Sequence, residues 1–309
     1  SSRANFISPA SHANRQACIE TSSRANPSSM TYWRKRVGAE RVEGLLKEML
    51  AVAVRSGQVR PSEFERVNVD TTVQEKAIAF PTDARLYCKM SLRLANLARR
   101  RGVKLRQSYL RVAPKLLKQQ AGYAHAKQYK RARAVTRKLK TILGRLVRDI
   151  RRNVEQPDEE LAVFLERADR LLTQTRESKN KLYSIDAPEV HCISKGKAHK
   201  RYEFGCKVSV ATSSAHSWVV GVQALPGNPY DGHTLQAAVL QTERLTGRTA
   251  KEIFVDRGYR GHDYKGEAQV YIAGARAAGA GPALRERRRR RSAIEPKIGH
   301  MKYDCRMGR

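Results

Sequence analysis

The chain has 309 residues, enough for one large domain or two ordinary ones with a sizeable core. Hydrophobic residues make up 40%, which excludes a wholly disordered chain. The 61 Lys and Arg against 29 Asp and Glu leave a formal net charge of +32, so the partner is polyanionic, nucleic acid before an anionic membrane surface; no apolar run approaches the roughly 20 residues that span a bilayer, and no signal peptide of the usual design opens the chain.

Residues 1–27 are rich in Ser, Ala and Asn and repeat SSRAN at Ser1–Asn5 and Ser22–Asn26. No hydrophobic period appears there, which predicts a poorly ordered tail. From 28 to 60 the pattern is helical, with Val42, Leu45, Leu46, Met49 and Leu50 at helical spacing. Ahead of them lies a basic aromatic patch, Tyr32, Trp33, Arg34, Lys35 and Arg36. That mixture suits a small DNA-binding helical unit; an ordinary amphipathic helix pair with a solvated basic face fits it as well. "FERVNVDTTVQ" then predicts a short strand ending at Asp70.

Residues 85–180 read as one long helical region, with Leu139, Ile142, Leu143, Leu146 and Ile150 marking its apolar face. It is crowded with Lys and Arg, and Asp149 is the one acid between 85 and 152. Breaks are expected near Gly102, Pro114, Gly122 and Pro157. A heptad is not sustained, so a basic helical insertion at 85–180 is preferred to a coiled coil, within one α/β unit made of 61–84 and 181–309. From Tyr183 the period changes to two: "YEFGCKVSVAT" and "WVVGVQALP" form a β-hairpin, a helix runs from about Thr234 to Leu245 and stops at Gly247, and Ile253–Val255 form a strand that ends in Asp256. "AQVYIAG" gives a further strand, followed by an Ala/Gly linker and "RRRRRSAIEPKIGHMK". The five cysteines, Cys18, Cys88, Cys192, Cys206 and Cys305, are scattered with no C-x-x-C, as in a reducing cytosol. His191, Cys192, His199 and Cys206 form a conceivable zinc set, but a zinc knuckle pairs its ligands more closely.

Two strands are therefore expected to end in an acid, Asp70 and Asp256, and a third acid, Glu295, opens a helix. A mixed sheet can set two strand ends side by side with a helix start beside them. Carboxylates gathered there would hold Mg²⁺, which takes oxygen ligands and keeps positions for water and phosphate; two such ions about 3.5–4 Å apart would activate one oxygen and stabilise another. Each acid has a plainer reading. Asp70 and Asp256 fit strand-end turns, and Ser292-Ala-Ile-Glu295 fits a capping box, with Pro296 tolerated in the first turn. Asp186 and Asp231 rival Asp70 as first acid, Asp231 from a Gly/Pro turn. On a helix Glu295 shares its face with Arg291 and Lys302, so two cations for phosphate flank one carboxylate for metal.

This last stretch resembles the DDE transposases of bacterial insertion sequences. Their signature is Tyr, two residues, Arg, three residues, Glu, six residues, Lys; Arg291, Glu295 and Lys302 match it and Arg288 stands in place of Tyr. "SSMTYWRKRVG", "VNVDTTVQEKAIAFPTDARLY", "KGKAHKRYEFGCKVSVAT", "GNPYDGHTL" and "VDRGYRGH" resemble the same family in order, from Ser28 to Arg309. The resemblance implies a ribonuclease H-like α/β fold with Asp70 on the first strand and Asp256 after the fourth. It implies that these two and Glu295 are catalytic and bind Mg²⁺, with Mn²⁺ as a substitute, and that Arg291 and Lys302 contact DNA. Double-stranded DNA (element ends and target), a homodimer joining two ends, and a bacterial cytoplasmic, nucleoid-associated setting follow from it. The end at Arg309, soon after the signature, reads as truncation. A nuclease that cuts without joining and a non-catalytic basic nucleic-acid-binding relic are the alternative readings.

Overall fold

The computed structural model of the chain describes residues 27–194, 201–274 and 281–305. The expected tail up to Asn26 and His199 of the conceivable zinc set lie outside them. Helix α1 (Pro27–Arg55) opens the described chain and kinks at Gly38, whose φ of 69° a residue with a Cβ rarely adopts. A 3₁₀ turn at Pro61–Glu65 leads into β1 (Arg66–Glu75). β1 does not end at Asp70 as the sequence pattern predicts. The strand β3 (Tyr202–Ser213) pairs with it antiparallel as far as Glu75, opposite Gly205, so the ladder carries β1 five residues further and leaves Asp70 in mid-strand.

Helices α2 (Asp83–Arg100), α3 (Val112–His125), α4 (Tyr129–Asn153) and α5 (Glu159–Thr173) follow β1. Breaks occur at Gly102 and Pro157 as the sequence predicts, but Pro114 sits in the first turn of α3, where a missing N–H costs nothing, and Gly122 lies inside that helix. The break falls instead at 126–128, where Lys127 has φ 57°. These helices bury a common core that includes Met90, Leu94, Leu143, Ile150, Leu161 and Leu171.

A short strand missed by the sequence pattern, β2 (His191–Ser194), precedes β3; β4 (Val219–Leu225), α6 (Leu235–Thr246), β5 (Glu252–Val255) and β6 (Gln269–Ile272) come after it. α6 stops at Gly247, φ 65°, as expected. Helices α7 (Pro282–Arg290) and α8 (Ile294–Tyr303) close the described chain. Among the described residues the strands form a six-stranded sheet in the order β2-β3-β1-β5-β6, with β4 also on β3. β1, β5 and β6 run parallel, and β2, β3 and β4 are antiparallel to their neighbours. This is a mixed α/β fold with helices on both faces, the class implied by a ribonuclease H-like domain; because of β2, Asp256 follows the fifth strand in chain order, not the fourth.

The alternation of β1 sorts the two faces. Val67 and Val69 pack with Leu235, Val239, Ile253 and Val255 in one core. On the other face Asn68 donates its side-chain N–H to the Arg290 carbonyl at 3.5 Å, and Val208 and Val210 of β3 pack against Ile294 and Ile298 of α8.

Candidate active site

The parallel register between β1 and β5 builds the site. Arg66, Val67 and Asn68 stand beside Glu252, Ile253 and Phe254. The ladder stops there, and β5 ends at Val255; continued two residues, the same register would set Asp70 opposite Asp256, with neighbouring strands usually about 4.8 Å apart. Neither carboxylate is wholly buried. Asp70 accepts the Thr71 backbone N–H at 2.7 Å. Asp256 begins the 3₁₀ turn Arg257–Tyr259 and accepts the Gly258 N–H at 2.8 Å. Of the two acids expected at strand ends, Asp256 directly follows β5, while Asp70 lies inside β1.

Asp231, one of the rivals, joins them. It starts the 3₁₀ turn ahead of α6. Its Oδ1 accepts the Thr71 hydroxyl at 2.9 Å and pairs with Lys207 Nζ at 2.6 Å. Lys207 is one-tenth exposed and also donates to the Pro229 carbonyl at 2.7 Å. The backbone at Gly258 runs between two carboxylates: a Cβ there would meet Asp231 Oδ2 and Asp256 Oδ1, each at 3.0 Å. Beneath lies Tyr259, fully buried. Burial first, then the negative charges of Asp231, Asp70 and Asp256, raise its phenol far above the ordinary 10.0, so it stays neutral and uncharged beside three acids. Lys207 supplies the compensating cation. From the sequence Asp231 is a rival for the first acid, ranked below Asp70 because it sits in a Gly/Pro turn, and Lys207 is passed over. The signal for Lys207 was present: a charged residue inside a strand covered on both faces must have a partner.

Asp186, the other rival, is half exposed and pairs with Lys89 on α2, so it takes no part in this cluster.

Glu295 lies on α8, where Ile294 beside it packs on Val210, the cross-strand partner of Asp70. α8 therefore covers the face to which Asp70 points. The Glu295 side chain is 62% exposed, and its carboxylate accepts from the Arg291 guanidinium at 3.1 Å. The capping box does not form. A 3₁₀ turn at Arg291–Ala293 joins α7 to α8, leaving little for a cap to satisfy, and the Ser292 hydroxyl donates to the Arg289 carbonyl at 3.0 Å instead. Arg288, in place of the signature tyrosine, lies over the Tyr271 ring at 5.5 Å. Lys302 is half-buried on the last turn. Of the N-terminal patch, Tyr32, Trp33 and Arg36 are exposed, while the side chains of Arg34 and Lys35 lie outside the described residues.

The donors suit a hard divalent cation in kind, since Asp70 on β1 and Asp256 just after β5 offer carboxylate oxygens. Among the described residues, no three His, Cys, Asp or Glu side chains are gathered closely enough to hold a metal ion. Glu295 is turned to Arg291 and Asp231 to Lys207. The zinc set fares no better: His191 accepts the Gly227 N–H and the Cys206 thiol faces the Glu189 carbonyl. No helix among the described residues is long and apolar enough to cross a membrane.

Residues 173–309 match the family model of the Transposase DDE domain. That stretch holds Asp231, Asp256, Arg291, Glu295 and Lys302 but not β1, which carries Asp70. A Rhizobium meliloti protein, described as an uncharacterized protein, ORF8, in the nfe locus, is 51% identical over 102 residues, which are 33% of this chain and 49% of that protein. The chain thus spans about half the length of the curated relative it matches. No solved structure matches.

Proposed function

From a transposase DDE domain over residues 173–309, we propose that the chain is a DDE-type DNA transposase that cuts the ends of an insertion sequence and joins them to target DNA. The observation that supports this reading is the parallel pairing of β1, which carries Asp70, with β5, which Asp256 directly follows, beside a helix that carries Glu295 and Lys302.

Asp70 and Asp256 would hold Mg²⁺ or Mn²⁺, with Glu295 as the third carboxylate once it leaves Arg291. A divalent ion bound there would lower the pKa of a water and neutralise phosphoryl charge. The chain's own groups do the rest. Arg291 and Lys302 would each hold a phosphate oxygen and orient the phosphorus for in-line attack. Water attacks at the element end, the P–O3′ bond breaks, and the 3′ oxygen leaves as a hydroxyl. That hydroxyl then attacks a target phosphorus and displaces another 3′ oxygen. The patch Trp33, Arg34, Lys35 and Arg36 and the basic helices would grip the duplex through its phosphates. Two ends brought together imply a homodimer, and DNA as substrate implies a cytoplasmic, nucleoid-associated setting.

A second reading, a basic nucleic-acid-binding protein without catalysis, is favoured by the Arg291–Glu295 pair and by the lack, among the described residues, of a gathered three-carboxylate site. The test uses labelled duplex carrying the DNA that flanks the gene. Mg²⁺- or Mn²⁺-dependent cleavage is expected, falling at least about a thousandfold in Asp70→Asn and Asp256→Asn while duplex binding stays. Joined products separate a transposase from a nuclease. Binding without cleavage under either metal overturns the enzyme reading.

A further inference from the structure

We propose that a cleft between α4 and the loop ahead of α3 is a second phosphate-binding site, away from the carboxylates, and that it anchors the backbone of double-stranded DNA. The inference rests on the DNA reading above and adds a defined point of grip to it. The cleft has a volume of about 420 Å³, and its lining includes Arg106, Tyr109, Arg145, Arg148, Asp149 and Arg152.

α4 places Arg145, Arg148 and Arg152 three and four residues apart, on one exposed face. Like charges at that spacing repel and weaken a helix. One carboxylate answers them. Asp149 is 7% exposed; it accepts the Arg106 backbone N–H at 2.8 Å and the Arg152 guanidinium at 3.2 Å. Asp149 thereby fastens the loop to the helix and leaves the cleft strongly positive. Among the described residues, Arg145 and Arg148 have no carboxylate partner. Tyr109 borders the cleft with φ 56°, a strained value for a residue with a side chain, and its carbonyl accepts the Ala113 N–H at 2.9 Å. The loop is thus held in one shape beside guanidinium forks that match phosphate oxygens.

The occupant follows from length. α4 has 25 residues, about 37 Å at 1.5 Å per residue. Its exposed side also carries Lys130, Arg133 and Arg137, with half-buried Lys140 beside them and Asp149 the only acid on the helix. A track of that length fits a run of duplex phosphates and far exceeds a mononucleotide.

The experiment measures binding of the full chain to a fluorescent random-sequence duplex across a salt series. The variant Arg145→Ala/Arg148→Ala spares Arg106 and Arg152, which hold the buried Asp149. Its control, Arg248→Ala/Lys265→Ala, removes the same charge from exposed loop positions outside the helical block. The cleft variant is expected to bind about tenfold or more weakly and to lower the salt slope by about two, against a loss under about threefold for the control. Arg145→Lys/Arg148→Lys should keep the slope and recover part of the affinity, which also separates loss of phosphate contacts from misfolding. Equal losses in both alanine pairs, or no loss in the cleft pair, overturn the cleft while leaving the DNA reading intact. ATP binding that the cleft pair abolishes while duplex binding is unchanged overturns it in favour of a nucleotide. Failure of the unaltered chain to bind duplex overturns the DNA reading and the cleft together.

Discussion

Lys207 and Asp231 show what a single ion pair does next to a cluster of acids. Lys207 is one-tenth exposed and Asp231 about a quarter exposed, so neither charge has bulk water to itself. Lys207→Met would leave Asp231 facing Asp256 across the Gly258 backbone with no cation, and should cost about 2–3 kcal/mol of stability, read as a lowered urea midpoint. Adding Asp231→Leu to Lys207→Met removes the orphaned charge, and the double variant should recover most of the loss. An additive double variant would mean that the two residues do not act as a pair. At this scale the sequence was readable where one residue type stood at one element end: Asp256 follows its strand as expected. For Lys207 the need for a partner was readable but not the partner itself, which lies in one segment more than twenty residues further along the chain, at Pro229 and Asp231. Nor did spacing alone reveal that Glu295 rests on Arg291: the same spacing that puts a carboxylate and two cations on one face also lets the nearer cation take the carboxylate.

At the scale of elements, β1 explains a wrong boundary. "TTVQ" after Asp70 is as favourable to a strand as the residues before it, and β3 offers it a partner as far as Glu75. At the far end of that ladder Gly205 is hemmed in: a Cβ would lie 2.0 Å from the Gln74 carbonyl oxygen. Gly205→Ala should force β1 and β3 apart there and lower the thermal midpoint by several degrees, about what 1–3 kcal/mol of overpacking produces. α8 is fixed to the sheet by Ile294 and Ile298. Ile298→Ala should cost about 2–4 kcal/mol, and hydrogen exchange should rise across Ile294–Tyr303 while α2–α5 keep their protection. The helical block has its own clamp. Arg101 at the end of α2 donates Nε to Asp158 Oδ1 at 2.8 Å and a second nitrogen to Glu160 at 3.0 Å at the start of α5. The hydrogen bond from Arg101 holds the Asp158 carboxyl below its ordinary 3.8. A lowered folded pKa means that this contribution is full above about pH 4 and is lost as pH falls from there through the folded value. Asp158→Asn should therefore flatten the acid limb of a pH–stability curve and leave the curve at neutral pH shifted but parallel.

For the whole molecule, charge and order along the chain matter most. A net charge of +32 is unfavourable to compaction by itself, and salt that screens it should raise the thermal midpoint of the free chain while, on the proposed function, weakening its binding to duplex. The alternation of helical and strand periods was enough to anticipate a mixed sheet with a block of helices between its first strand and the rest. The short β2, four residues on an edge, carried too little pattern to be seen. The parallel pairing of β1 with β5 also has a consequence in time. As the chain is synthesised, β1 emerges long before its neighbour; the whole helical block, the hairpin and α6 must be made in between, and a contact so distant in sequence closes late and slowly. Asp70 waits for Asp256. A chain interrupted between Thr173 and β5 has its arginine-rich helices but not Asp256, so on the proposed function such unfinished copies would hold DNA without the means to break it.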